Sequence, residues 1–263
     1  MTNEKECPLE AALRRAAEEP GHRPEFYRLL LESSVLILGH SNTSHGTQTL
    51  EAGETISIQN WVRDDGSPVI PFFTSLTALH RSIEQEVTYM ALPARSLFEI
   101  TKGSPLVLNP KSSYGKEFFP NEIEALLAEG VNQLPKQRVA YKATKVLLGQ
   151  PADYPSKMVD SLTTLLSKHS NVKAAYLALM HDPSKDTKPH LVVGIEVDGE
   201  IENVMREAGV VASDSAPNGG PVDLIQIERG DLGLSEYFVH EVKPFYERRW
   251  GSKLKSLLGI GHA

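Results

Sequence analysis

The stretch Ile70-Pro71-Phe72-Phe73-Thr74-Ser75-Leu76-Thr77-Ala78-Leu79 decides how the amino-terminal half of the chain is read. Val69 to Phe73 is a short β-branched and aromatic run of the kind that fills a buried strand. Thr74 and Ser75 then offer hydroxyls to the unpaired amides of a new helical turn, and Leu76, Leu79, Ile83 and Val87 follow at helical spacing. A strand therefore runs directly into a helix. Upstream, Asp64-Asp65-Gly66-Ser67 is a turn in which Gly66 is free to take positive φ. Ile56, Ile58, Asn60 and Val62 alternate before it, so Thr55 to Val62 is expected as an antiparallel partner.

Working outward, Leu9, Ala12, Leu13 and Ala16 share one face of a short helix that Pro20-Gly21 ends, and Pro24 opens a second helix carrying Phe26, Leu29 and Leu30. Val35 to Leu38 reads as a strand, and Gly39 to Gly53 as a long polar loop that includes His40 and His45. Thr88 to Leu92 is a strand, Pro93 opens a short helix, and Leu106-Val107-Leu108 is a strand stopped by Asn109-Pro110. A helix starts at Pro120 and closes at Gly130. The apolar pattern then fades through Arg138, which places a boundary between domains 1–136 and 137–263.

The second half is more regular. Thr144 to Leu148 reads as a strand, and Pro155 leads a helix with Met158, Val159, Leu162, Leu165 and Leu166 on one stripe. Val172 to Met180 and Leu191 to Val197 form a hairpin around a polar loop. Asp198 is placed as the cap of a helix bearing Ile201, Val204, Met205 and Ala208, and Val222 to Ile227 is the last strand. The order βαββαβ is that of a ferredoxin-like split βαβ sheet. A helix from about Leu234 breaks at Pro244, and Phe245 to Leu258 is expected as an extra terminal helix. The fold class is α+β (mixed α/β) in two domains: an amino-terminal mixed α/β sheet domain and a carboxy-terminal ferredoxin-like one.

Ile70-Pro71-Phe72-Phe73-Thr74-Ser75 followed by Leu106-Val107-Leu108-Asn109-Pro110 resembles the paired hallmark of the amino-terminal domain of the enhanced serine sensitivity protein family, SseB. Leu29-Leu30-Leu31-Glu32-Ser33, Asp160-Ser161-Leu162-Thr163-Thr164-Leu165 and Phe245-Tyr246-Glu247-Arg248-Arg249-Trp250-Gly251 are similar to the two-domain bacterial members along essentially the full chain. The resemblance implies a link to serine sensitivity and a regulatory or protein-binding role, with no catalytic residues to carry over.

Composition narrows the function classes. The net charge is −7, with 14 basic against 18 acidic residues up to Lys142 and 13 against 16 beyond it, so neither half has the basic excess of a nucleic-acid binder. One cysteine, Cys7, excludes an internal disulfide framework and a Cys-rich zinc site. No apolar run approaches a membrane span, and the charged first 20 residues are unlike a secretory signal; the expectation is a soluble cytoplasmic protein.

Candidate chemistry is sparse. Cys7 lies in a polar segment with no His nearby in sequence, Gly39-His40-Ser41-Asn42-Thr43 lacks the second glycine of a nucleophile elbow, and Gly115-Lys116-Glu117 lacks the leading glycine and hydroxyl of a phosphate loop. No cofactor is expected. His181 and His190 bracket the second-domain hairpin loop with Asp182 and Asp186 in reach, a conceivable zinc shell, but a polar hairpin tip is the reading preferred, and no metal is assigned. Glu196, Asp198, Glu200 and Glu202 read as charges at a helix start.

Three readings remain. Tyr246, Arg248, Arg249, Trp250 and Lys253 are the residue types that concentrate binding energy at protein interfaces, so a non-enzymatic, protein-binding role leads. The alternative is an amino-acid sensor holding a carboxylate near Asp198 and a Ser213-Asp214-Ser215 loop. An enzyme with groups from both halves is the third possibility.

Overall fold

The computed structural model describes residues 7–41, 56–132, 146–184, 186–231 and 233–248. The chain divides into two compact units, Met1–Leu134 and Pro135–Ala263. Both are mixed α/β, as expected.

The first unit runs α1 (Pro8–Glu18), α2 (Arg23–Glu32), β1 (Ser34–Ser41), β2 (Ile56–Ile58), β3 (Trp61–Val62), β4 (Pro68–Phe73), α3 (Leu76–Ser82), β5 (Tyr89–Pro93), α4 (Ala94–Ile100), β6 (Leu106–Leu108), β7 (Lys116–Phe118) and α5 (Pro120–Glu129). Strand β4 does run straight into α3, whose first turn is capped by Ser75 Oγ accepting from Ala78 N–H at 3.1 Å. The expected partner strand is divided. Trp61–Val62 pairs with β4, whereas Ile56–Ile58 pairs with β1. Gly39 permits that second pairing, because a Cβ there would sit 2.1 Å from the Ser57 carbonyl oxygen. The expected loop lies mostly outside the described residues, and His45 with it.

The sheet order is β2-β1-β4-β6-β7, with β5 also on β1 and β3 on β4. Cross-strand partners share a face. Val35, Ile37, Phe72, Leu106 and Leu108 point to one side and are buried with apolar side chains of α1, α2, α4 and α5. Phe72, Phe98 and Phe118 meet there with centroids 5.5–5.9 Å apart, so truncating Phe72 to Ala would cost about 3–5 kcal/mol. On the other side Leu38 and Phe73 pack on Ala78 and Leu79 of α3.

The second unit runs β8 (Leu147–Gly149), α6 (Ser156–Leu166), β9 (Val172–His181), β10 (His190–Val197), α7 (Glu202–Ser215), β11 (Val222–Gln226), α8 (Leu234–Glu241) and β12 (Tyr246–Glu247). The element order βαββαβ is the expected one, but the strand order differs in detail from a split βαβ sheet. There the first and third strands would lie side by side; here β8 pairs antiparallel with β9, and the sheet reads β11-β10-β9 with β8 and β12 at different stretches of β9. Strands β10 and β11 are parallel, joined over α7. Helices α6 and α7 cover one face, and Phe238 of α8 covers the other with Tyr176, Ala178 and Val192.

Over its described residues, Phe245 to Arg248, the expected terminal helix is replaced by a strand, and the rest of the expected span lies outside the described residues. Tyr246–Glu247 is a strand on Ala174–Ala175, with Phe245 N–H bonded to Ala175 O at 2.9 Å and Arg248 N–H to Lys173 O at 2.8 Å. Pro244 frees the chain from α8, and four residues of mixed aromatic and charged character take the edge that β9 offers.

Candidate functional site

The two hallmark stretches meet at one buried point. β4 and β6 run parallel, Ile70 opposite Leu106 and Phe72 opposite Leu108, so their carboxyl ends bring Thr74 beside Asn109. Thr74 N–H donates to Asn109 Oδ1 at 2.9 Å, and Asn109 Nδ2 donates to Thr74 Oγ1 at 2.9 Å. Glu10 of α1 closes the node, its Oε1 accepting from Thr74 Oγ1 at 2.9 Å and from Ser75 Oγ at 2.6 Å. Ser82 Oγ reaches the Pro110 carbonyl, and Cys7 Sγ faces the Thr74 carbonyl at 4.0 Å. These polar atoms satisfy one another, so the node fixes the β4–α3 turn and joins α1 to it.

A groove beside α5 is open to solvent, with Lys116, Phe119, Glu122 and Asn132 in its walls. Its one lysine is already engaged: Lys116 Nζ lies 2.9 Å from Glu122 Oε1, and Asn132 Nδ2 donates to the same oxygen at 3.3 Å.

Arg248, expected to grip a partner, is held within the second unit. Its Nη2 donates to Ser167 O at 3.0 Å and His169 O at 2.7 Å, and its Nε to Val172 O at 3.1 Å. The guanidinium therefore satisfies carbonyls at the end of α6 and the start of β9, the polarity a helix carboxyl terminus favours. Tyr246 lies half-buried against the α6–α7 core. Arg249, Trp250 and Lys253 lie outside the described residues.

The proposed amino-acid site does not converge. Ser213, Asp214 and Ser215 are the last turn of α7 rather than a loop, and Asp198 precedes that helix without capping it; Ile201 is the cap residue and no side chain caps. The helix from Glu202 to Ala212, about 16 Å, separates the two groups. Asp198 is exposed beside Lys173 Nζ at 3.5 Å, and Ser215 Oγ turns back to the Val211 carbonyl.

The hairpin histidines do not act together either. His190 is buried between carboxylates, Nε2 2.9 Å from Asp223 Oδ2 and Nδ1 3.4 Å from Asp186 Oδ2, whereas His181 lies opposite Leu147 of β8. Among the described residues no group of three His, Cys, Asp or Glu is arranged to hold a metal ion. Glu196 is 5% exposed and takes Arg229 Nε on Oε1 at 2.8 Å and the Tyr176 hydroxyl on Oε2 at 3.4 Å. Burial, and then the Glu196 charge, push the Tyr176 phenol above its ordinary range; the hydrogen bond to Glu196 raises the pKa of Arg229.

What sequence reasoning missed is the uneven cover of the first sheet. Leu36, Leu38, Phe73, Tyr89 and Ala91 share the face on which α3 packs, by register. Leu36 and Val107 are half-buried, Tyr89 is 44% exposed and Ala91 is exposed. The uncharged run Tyr89-Met90-Ala91-Leu92-Pro93 was the available signal, since proline in a strand marks an edge.

The chain is 41% identical over 247 residues to Protein SseB of Escherichia coli (strain K12), covering 94% of each chain, and equally to Protein SseB of Shigella flexneri. The chain belongs to the SseB family. Residues 9–125 match the SseB protein N-terminal domain and residues 141–248 the SseB protein C-terminal domain, so each SseB domain falls within one compact unit. No solved structure matches the chain. Among the described residues of this SseB-family protein, no helix is long and apolar enough to cross a membrane.

Proposed function

We propose that this SseB-family protein acts by binding another protein in the cytoplasm, in a regulatory role tied to serine sensitivity, and not by catalysing a reaction. The observation that carries this reading is the thinly covered face of the first sheet. Among the described residues the two-turn helix α3 packs on it, with Trp61, Ile83 and Val87, while apolar Leu36, Val107, Tyr89 and Ala91 stay partly open and Leu76 is 44% exposed. Apolar surface of this kind, set on a rigid sheet, suits a protein partner.

The test is affinity purification from a bacterial lysate with the full chain and with a Leu76→Glu, Val107→Lys double variant, the lysine facing Glu117 across the sheet. Both positions are solvent-reaching, and a carboxylate at the start of α3 suits the helix. The double variant should keep its melting temperature and lose the partner. Equal recovery by a folded double variant rejects this face as the binding surface.

A further inference from the structure

We propose that β5 is a docking strand for a second copy of this chain, the two β5 strands pairing antiparallel across a two-fold axis. The backbone directions of β5 are fixed by its neighbour. Gly39 N–H donates to Thr88 O and Ala94 N–H donates to Ser33 O, both at 2.9 Å, so even-numbered residues face β1. Alternation then turns the backbone groups of Tyr89, Ala91 and Pro93 away from it. Among the described residues no strand pairs with that outer side, and Tyr89, Ala91 and Pro93 are all exposed.

An edge of this kind templates further pairing unless charges or twists blunt it. The opposite edge of the same sheet is blunted, since β7 has three residues and carries Lys116 and Glu117. Thr88 to Pro93 carries no charge. Only Pro93, at the carboxyl end, interrupts its donors.

The strand is complementary to itself in reverse. With Met90 opposite Met90 of the second copy, Tyr89 of each copy faces Ala91 of the other, and these pairs exchange four backbone hydrogen bonds. Glu84, which has Lys111 Nζ at 3.6 Å, and Glu86 precede the strand and Arg95, in the first turn of α4, follows it, so antiparallel pairing sets the acidic end of each copy at the Arg95 end of the other. That charge order favours a second copy over an unrelated extended segment. One strand edge buries far less than the roughly 1,600 Å² of a standard interface, so the dimer forms as concentration rises. The strand edge shares Tyr89 and Ala91 with the face proposed for a partner, and self-association of the purified chain, with no other protein present, separates the two readings.

Sedimentation equilibrium of the full chain over a range of concentrations tests it. The wild type should show a reversible monomer–dimer equilibrium. Ala91→Pro removes an outward N–H, as Pro93 already does two residues on, while leaving the bonds of Met90 and Leu92 to β1 in place. It should keep the circular dichroism and melting temperature of the wild type and weaken dimerisation at least tenfold. Should Ala91→Pro fail to fold, Tyr89→Lys, at a 44% exposed position, is judged by the same criterion. A wild type that stays monomeric at every concentration, or a dimer that survives a folded edge variant, overturns the proposal.

Discussion

Thr74 and Asn109, 35 residues apart in sequence, hold each other through two hydrogen bonds of 2.9 Å, one from each residue. Asn109 is 2% exposed and takes φ of +48°, a left-handed conformation that asparagine tolerates better than most residues. Asn109→Ala leaves the Thr74 N–H unpaired in a buried place and strains the backbone, so it should cost about 2–4 kcal/mol in urea unfolding. Asn109→Gly loses the same side-chain hydrogen bonds but not the backbone's ease at positive φ, and should cost less than Asn109→Ala.

Arg248 makes three hydrogen bonds to carbonyls at the α6–β9 junction. Arg248→Ala should therefore lower stability by about 1–3 kcal/mol, measured by thermal or denaturant unfolding. Arg248→Lys should recover less than half of the loss, because an ammonium lacks the planar fork that spans several acceptors. An unchanged midpoint in Arg248→Ala would contradict the clamp.

Tyr176 gives a prediction in alkali. Its phenol is held above its ordinary range chiefly by burial, so the folded state retains its proton when the unfolded chain begins to lose it near pH 10. The wild type should lose stability relative to Tyr176→Phe as pH rises through and above about 10. Below that, the difference between the two should be constant. Unfolding midpoints at pH 8, 9, 10 and 11 for both proteins check the sign.

Separation of Asp198 from Ser213 and Ser215 by the length of α7 removes the amino-acid pocket expected there. Titration calorimetry of the full chain with serine, threonine or homoserine at millimolar concentration should show no binding heat. A saturable heat abolished by Asp198→Ala would reinstate the site.

Much of the fold is legible from local pattern. The step from Phe73 into α3, the stripe of Met158, Leu162 and Leu166, and the long hairpin each follow from periodicity and turn chemistry within a few residues. What escaped depends on distant partners. Nothing local to Ile56–Ile58 says it will pair with β1 and not β4, and nothing in Phe245–Arg248 shows that Ala174–Ala175 lacks a neighbour. Tyr246 and Arg248 look like interface residues because large apolar surface and directed hydrogen bonding serve a chain's own closure as well as a partner. Ser213–Ser215 reads as loop because serine and aspartate favour turns, yet packing of Val210 and Val211 carries α7 through them.

The Arg248 clamp also sets an order of events during synthesis. The edge of β9 at Ala174–Ala175 is closed by residues made some 73 positions later, at Tyr246 to Arg248. At translation rates of about 5–20 residues per second, that edge leaves the ribosome roughly 4–15 s before its cover exists. The nascent second unit thus passes through an interval in which an incomplete sheet margin is on show, and a chaperone that shields it then would act on a chain whose first unit has already had time to close.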